Sequence, residues 1–351
     1  MLTHEQLDLL LTVLADAQPH GGVDCIHSAQ DPVRMKIAAF NGKNLGQKKV
    51  RDKNVIKHLT KIISRYSVVF MLEVVDKSGK AMETLLKEVN KADANRNHPY
   101  SKIASRRLGR DTYREQYVCF YRLDEVNQMD TYQYEDNQAE DEDAFAREPF
   151  ILRFDCPTTA VDDLVLIPVH TKPKDALKEL DELHDVVEAV RKKWKTDNIM
   201  ILGDFNADGQ YLSKKGKEKI RIYSPPYKWL IGDDVDTTAS NKNDNTYDRI
   251  VVYGETVLEA VVPGSAKSFN FQKEFKLSDE EALSISDHYP VEVELKTRAG
   301  RQRRAAPPQP TTTASRKGRA QGKGHQKEAK GAGAPKRKRG QESNTPTKRR
   351  R

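Results

Sequence analysis

Asn198-Ile199-Met200-Ile201-Leu202-Gly203-Asp204-Phe205-Asn206 is the stretch on which the reading of this chain turns. A short apolar run stopped by a glycine reads as a β-strand buried on both faces. Its end carries a carboxylate, Asp204, and an amide, Asn206. A second segment is built alike: Ser286-Asp287-His288 leads into the strand-like run Tyr289-Pro290-Val291-Glu292-Val293-Glu294-Leu295. Oxygen ligands suit a hard cation such as Mg²⁺, and an imidazole near a carboxylate moves protons close to neutral pH. Neither segment says much alone. Together they point to metal-assisted attack on a phosphodiester.

The flanking sequence supplies the frame for such a site. Apolar runs predict strands at 35–40, closing in Asn41-Gly42, and at 67–75, 100–104, 116–122, 150–154, 164–169, 198–202, 249–253 and 289–295. Helical spacing joins Val55, Ile56, Leu59, Ile62 and Ile63, and a further helix is predicted over 81–91. Between Pro173 and Trp194 the apolar positions 177, 180, 183, 187, 190 and 194 form one stripe. Apolar strands flanked by amphipathic helices predict an α/β fold with sheets covered by helices.

Charge divides the chain sharply. Residues 298–351 hold 18 Lys and Arg against 2 Asp and Glu, a net of +16; with the whole chain at +8, residues 1–297 carry −8. The body is therefore acidic, which suits metal binding, and the high pI of about 9.1 belongs to the tail. That tail lacks large apolar side chains, cannot offset the entropy of ordering, and is predicted to be disordered. Pro335-Lys336-Arg337-Lys338-Arg339 and Lys348-Arg349-Arg350-Arg351 resemble nuclear-import signals, for which import receptors would be the partners.

Three cysteines, Cys25, Cys119 and Cys156, exclude a small disulfide scaffold and favour a reducing compartment. Cys119 reads as a buried strand residue. No apolar run is long enough for a membrane span. Residues 7–17 have the length of a signal-peptide core, but no Lys or Arg precedes them and Asp8 and Asp16 interrupt or flank them. The expected division is thus a leader at 1–34, a catalytic domain at 35–297 and a basic tail at 298–351. The expected location is the nucleus, with secretion as the alternative if residues 7–17 act as a signal.

Polar residues recur where apolar strands stop or start: Asn41, Glu73, His170, Asp204, Asn206, Asp248 and Asp287-His288. Any one of them could be a turn former, since Asp and Asn dominate turns. So many in comparable positions predict a shared site at one edge of the sheets. Glu73, Asn41, Asp204, Asn206 and Asp287 are the candidate oxygen ligands for a cation. His170 and His288 are the candidate general base and acid. The other seven histidines lack comparable carboxylate company in the sequence.

These segments resemble the deoxyribonuclease I family of the endonuclease–exonuclease–phosphatase superfamily, over about residues 35–295. The resemblance is carried by Lys36-Ile37-Ala38-Ala39-Phe40-Asn41, Leu108-Gly109-Arg110-Asp111-Thr112-Tyr113-Arg114-Glu115-Gln116-Tyr117, Asp130-Thr131-Tyr132-Gln133-Tyr134, Phe145-Ala146-Arg147-Glu148-Pro149, Gly203-Asp204-Phe205-Asn206-Ala207, Tyr247-Asp248-Arg249-Ile250-Val251-Val252, Val261-Val262-Pro263-Gly264-Ser265 and Ser286-Asp287-His288-Tyr289-Pro290-Val291. The basic tail makes the gamma-type branch the nearest comparison.

The resemblance implies a four-layer α/β sandwich, two central mixed β-sheets flanked by helices. It implies endonucleolytic cleavage of double-stranded DNA, with low sequence specificity, using Mg²⁺ or Mn²⁺. It pairs His170 with Glu115 and His288 with Asp248, and places Glu73, Asn41, Asp204, Asn206 and Asp287 about metal and scissile phosphate. Arg110, Tyr113 and Arg147 fall where the family touches DNA, as residues able to bond phosphate without reading sequence. Structural Ca²⁺ is also implied, with Asp136, Asp143, Asp236 and Thr238 as ligands. Actin binding, which occurs in part of the family, is left open by this sequence, as is a preference for chromatin.

The chain departs from the family pattern in instructive places. A disulfide usual in the family would join positions 209 and 245, which here are Gly209 and Asn245. A second, smaller bridge is missing between Glu135 and Asp143, and the basic residue usual after the strand-two glutamate is Val75. The rival readings are another phosphoesterase of the superfamily and a non-catalytic nucleic-acid- or protein-binding module.

Overall fold

The computed structural model describes residues 34–136 and 143–298. The expectations for the leader, for Cys25 and for the basic tail beyond Arg298 lie outside the described residues.

Among the described residues, twelve strands form two six-stranded mixed sheets. The first holds β1 (Met35–Leu45), β2 (Val68–Val74), β3 (Tyr100–Ala104), β4 (Gln116–Arg122), β11 (Lys267–Ser268) and β12 (Val291–Leu295), in the order β11-β12-β1-β2-β4-β3. The second holds β5 (Asn127–Gln133), β6 (Phe150–Asp155), β7 (Asp163–His170), β8 (Ile199–Asp204), β9 (Lys228–Trp229) and β10 (Asp248–Tyr253), in the order β5-β6-β7-β8-β10-β9. Each sheet has one parallel pair at its centre, β1 with β2 and β7 with β8, and antiparallel neighbours outside it.

Strand side chains alternate between faces, and the apolar runs fill both. Ile37, Ala39, Val68, Phe70 and Leu72 of the first sheet pack against Leu164, Leu166, Met200, Leu202, Ile250 and Val252 of the second. On the outer face of the first sheet, Ala38, Phe40, Val69 and Met71 meet α2 (Lys53–Ile63) and α3 (Lys80–Lys91) through Leu59, Ile62, Leu85 and Val89. The short α1 (Gln47–Arg51) precedes them. On the outer face of the second sheet, Val165, Ile167, Ile199 and Ile201 meet α4 (Ala176–Trp194) through Leu180, Leu183, Val187 and Val190. The fold is the four-layer α/β sandwich, helix on sheet on sheet on helix. Leu202 lies fully buried between the sheets, so its truncation to Ala would cost about 2–5 kcal/mol.

Several sequence expectations need correction. β1 does not close at Asn41-Gly42; it runs on to Leu45 through a register shift, with Lys43 and Asn44 at φ 41° and 53°. β5 is a strand that the apolar pattern does not predict, because it lies at the sheet edge and carries polar residues on both faces. The helices α5 (Lys214–Lys217), α6 (Glu255–Ala260), α7 (Phe271–Phe275) and α8 (Asp279–Ile285) are too short to show a helical stripe. Leu177, counted in the stripe of α4, is 43% exposed. Chain packing continues through Arg298, whose N–H donates to Thr158 O.

Candidate active site

The inward-facing parity that places Met200 and Leu202 between the sheets also points Asp204 there. Register then aligns its neighbours: His170 on β7 and Asp248 on β10 both pair with Asp204 on β8. Three polar side chains thus stand in a row across adjacent strands, just where the apolar ladder ends. Gly203 permits the close approach. It has φ 143°, and a Cβ there would lie 2.0 Å from Val169 O.

Asn41 continues the inward face of β1. Glu73 does not follow from parity, because its predecessor Leu72 already faces inward. Its backbone takes φ 53°, and the pairing of β2 with β4 slips between Met71 and Val74. Such a bulge re-aims a side chain, and here it brings Glu73 to the site. Asn41 Nδ2 donates to Glu73 Oε1 and to Asp204 Oδ2, both at 3.0 Å, while Asn41 Oδ1 accepts from Lys43 N–H.

Both expected His–carboxylate couples are present. His170 Nδ1 lies 2.6 Å from Glu115 Oε1, and His288 Nδ1 lies 2.7 Å from Asp248 Oδ2. The opposite ring nitrogens converge: His170 Nε2 is 3.6 Å and His288 Nε2 is 3.8 Å from the same oxygen, Asp204 Oδ2. Ligand atoms of Asp204, Asp248 and His288 all fall within 4.8 Å of one another. That grouping overlaps the five-residue ligand set read from the sequence only at Asp204.

Electrostatics follow from this packing. Burial opposes charge on His288, but Asp248 and then Asp204 outweigh it and push its pKa up to about 10. His170 is raised as well: burial and, less strongly, the Arg147 charge oppose protonation, and Glu115 outweighs both. Burial would lift Asp204 and Glu115; the histidines beside them hold both below the usual carboxylate range. Asp248 goes the other way, pushed up to about 6 by burial and by Asp204 against the pull of His288.

The remaining expected residues occupy distinct positions. Asn206 donates its N–H to Asp204 Oδ1 and its amide to Thr171 O, fastening the turn after β8. Asp287 sits at the rim, 2.6 Å from Lys43 Nζ. Tyr113 is 48% exposed, with its hydroxyl 3.3 Å from Glu115 Oε2. Arg110 is gripped by the Asp143 carboxylate. Arg147 faces inward: its Nε lies 2.9 Å from Glu115 Oε1 and donates to His170 O.

The residues implied for calcium lie in two separate loops, 136–143 and 236–238. Asp143 holds Arg110, Asp136 accepts from Ala144 and Phe145 N–H, and Asp236 accepts from Thr238. Positions 209 and 245 do stand together, since a Cβ on Gly209 would lie 2.8 Å from Asn245 Oδ1. Their loops are clasped without a covalent bond. Asp208 accepts from Thr246 N–H, and Arg249 donates to Ala207 O and Thr246 O.

Sequence reading missed several participants. Lys43 and Thr237 carry no periodic signal and Tyr117 reads only as a strand residue, yet Tyr117 OH accepts from His170 N–H and Thr237 Oγ1 from Asp248 N–H. The view that His170 and His288 alone have carboxylate partners is also wrong: His98 Nδ1 pairs with Asp124, 26 residues away. Cys119 and Cys156 are free and buried.

The endonuclease/exonuclease/phosphatase family matches residues 38–288. Human deoxyribonuclease gamma is 41% identical over 273 residues, covering 78% of this chain and 88% of that protein. Pig deoxyribonuclease-1 is 43% identical over 264 residues, covering 75% and 92%. Among solved structures, the human Nocturnin catalytic domain with bound sulfate matches with a TM-score of 0.52 at 11% identity, covering 76% of this chain and 95% of that one. An endonuclease/exonuclease/phosphatase from Bacteroides vulgatus matches at 0.50 and 16%, covering 76% and 100%. At such identities the structural likeness is one of fold; the sequence likeness reaches further. The chain belongs to the endonuclease/exonuclease/phosphatase family, and within it to the deoxyribonuclease enzymes.

Proposed function

We propose that this enzyme is an endonuclease that hydrolyses phosphodiester bonds of double-stranded DNA with low sequence specificity and requires a divalent cation, Mg²⁺ or Mn²⁺. One observation carries the reading: two imidazoles, each backed by a carboxylate on Nδ1, turn their Nε2 atoms toward one oxygen of Asp204. In-line displacement at phosphorus needs a proton acceptor for the attacking water and a proton donor for the leaving alkoxide, on opposite sides of the phosphate. His288, held protonated by Asp248 and Asp204, is the donor. His170, the other imidazole turned toward that oxygen, is then the acceptor.

The residues fit a hard cation. The Asn41 amide bridges the Glu73 and Asp204 carboxylates, and paired carboxylates of this kind suit a dication bound through oxygen. Glu73 and Asn41 would hold it, with Asp204, Asn206 and Asp287 around the phosphate. Bound there, it would neutralise charge developing on the phosphoryl oxygens. Tyr113 is the exposed DNA contact. Arg147 supports the site from below, and Arg110 reaches phosphate only by exchanging Asp143 for it. The named relatives, all deoxyribonucleases, favour DNA over the substrates of other phosphoesterases.

The basic residues 298–351 are read as a DNA-holding tail that carries import signals, and the enzyme as nuclear. No helix among the described residues is long and apolar enough to cross a membrane. The test is plasmid nicking with and without EDTA. His170→Ala and His288→Ala should each slow cleavage by ~10²–10⁴. Near-normal nicking by either variant, at matched circular dichroism, removes that histidine from its role, and nicking that survives EDTA removes the cation.

A further inference from the structure

We propose that Glu179, in the first turn of α4, is a positioning residue that fixes the His170–Glu115 couple. An acidic residue in a helix's first turn ordinarily faces solvent and the helix dipole. Glu179 is instead 1% exposed. Its Oε1 accepts two backbone N–H groups from outside the helix, Ala146 at 3.3 Å and Lys172 at 3.1 Å.

Those N–H groups flank the couple. Ala146 precedes Arg147, which lies 2.9 Å from Glu115 Oε1 and donates to His170 O. Lys172 follows His170 by two residues. Tyr117 OH closes the ring by accepting from His170 N–H and donating to Arg147 O. One carboxyl oxygen therefore staples both loops that must stay in register for Nδ1 of His170 to meet Glu115. The anchor is rigid, because α4 is packed on the second sheet through Leu180, Leu183 and Val187. Burial pushes the Glu179 pKa up to about 7, and its carbonyl oxygen accepts hydrogen bonds with or without the charge. A glutamine should therefore replace it, and an alanine should not.

The inference rests on His170 transferring a proton, so the experiment separates the two claims. In the full-length chain, Glu179→Ala should lower kcat by ~10–100-fold, as small misplacement of a reacting group does, with KM within about twofold and Glu179→Gln within about threefold of the parent. Lys172→Pro removes one donor while leaving residue 179 intact. Lys172 has φ −78° and ψ 125°, which proline accepts, so kcat should fall in this variant too. The downfield proton resonance of His170 Nδ1–H, assigned by its loss in His170→Ala, should shift in Glu179→Ala and persist in Glu179→Gln.

An unchanged kcat and resonance in Glu179→Ala overturns the proposal. So does a loss wholly accounted for by a smaller folded fraction, or a glutamine variant as impaired as the alanine one. If Glu179→Ala does not fold, the glutamine and Lys172→Pro variants decide. If His170→Ala keeps its activity, the proton-transfer role falls, while the resonance still reports whether Glu179 positions the ring.

Discussion

A disulfide placed at positions 209 and 245 should stabilise this protein markedly, although the wild-type chain has none to lose there. The loops after β8 and before β10 approach so closely that a Cβ at Gly209 would touch Asn245 Oδ1 at 2.8 Å. In Gly209→Cys/Asn245→Cys that clash vanishes with the amide. A crosslink would close a loop of about 36 residues, which restricts the unfolded chain by about 4 kcal/mol. Against this, Gly209 has φ 57°, and a residue with a side chain there costs about 1 kcal/mol. The net gain of about 3 kcal/mol corresponds to roughly 6–10 °C in Tm for a domain of this size. The assay is a thermal melt by circular dichroism of the oxidised double variant, repeated after dithiothreitol. Non-reducing electrophoresis confirms the crosslink. Cys119 and Cys156 are buried and should not compete. Failure to crosslink would refute the juxtaposition of the loops; a crosslinked protein that melts no higher than its reduced form would refute the loop-entropy reasoning. The wild type, clasped there by Asp208, Thr246 and Arg249, should keep its activity in millimolar dithiothreitol, and a loss with metal in excess would reveal an essential disulfide elsewhere.

Other expectations follow from the same geometry. Because the pKa of His288 is raised from 6.5 to about 10, its pairing contributes stability that is full below pH 6.5 and fades as pH rises through 10. In EDTA, Asp248→Asn should flatten the fall in Tm between pH 7 and 10, and an unchanged slope would deny Asp248 its part in that shift. Truncation of the tail is best made after Arg298, since Lys296 and Arg298 donate backbone bonds to Ala260 O and Thr158 O. Each DNA phosphate that the shortened chain leaves unneutralised should flatten the log–log salt dependence of binding by about 0.9, with kcat at saturating substrate little changed. The same truncation should abolish nuclear accumulation; unchanged salt slope and localisation together would leave the tail with neither job.

Much of the site was legible in the sequence because apolar runs encode which strand faces are buried and where burial stops. Asp204, His170, Asn41 and Asp248 could be picked out as polar ends of such runs, and α4 as an amphipathic stripe. The resemblance then supplied Glu115 and the pairing of the histidines. Periodicity is a local property, however, and the contacts that make the site are not local. Asn41 meets Asp204 across 163 residues, His170 meets Glu115 across 55, and His288 meets Asp248 across 40. Only the stacking of two sheets decides which strand ends lie opposite. Tertiary structure alone turned Glu73 inward, through a left-handed backbone in a bulge, against the strict alternation that sequence reading assumes. It also drew Arg147 beneath the couple and Glu179 behind it, where an arginine and a first-turn glutamate would be read as surface residues. A buried charge is placed by the partners that compensate it, and those partners come from elsewhere in the chain.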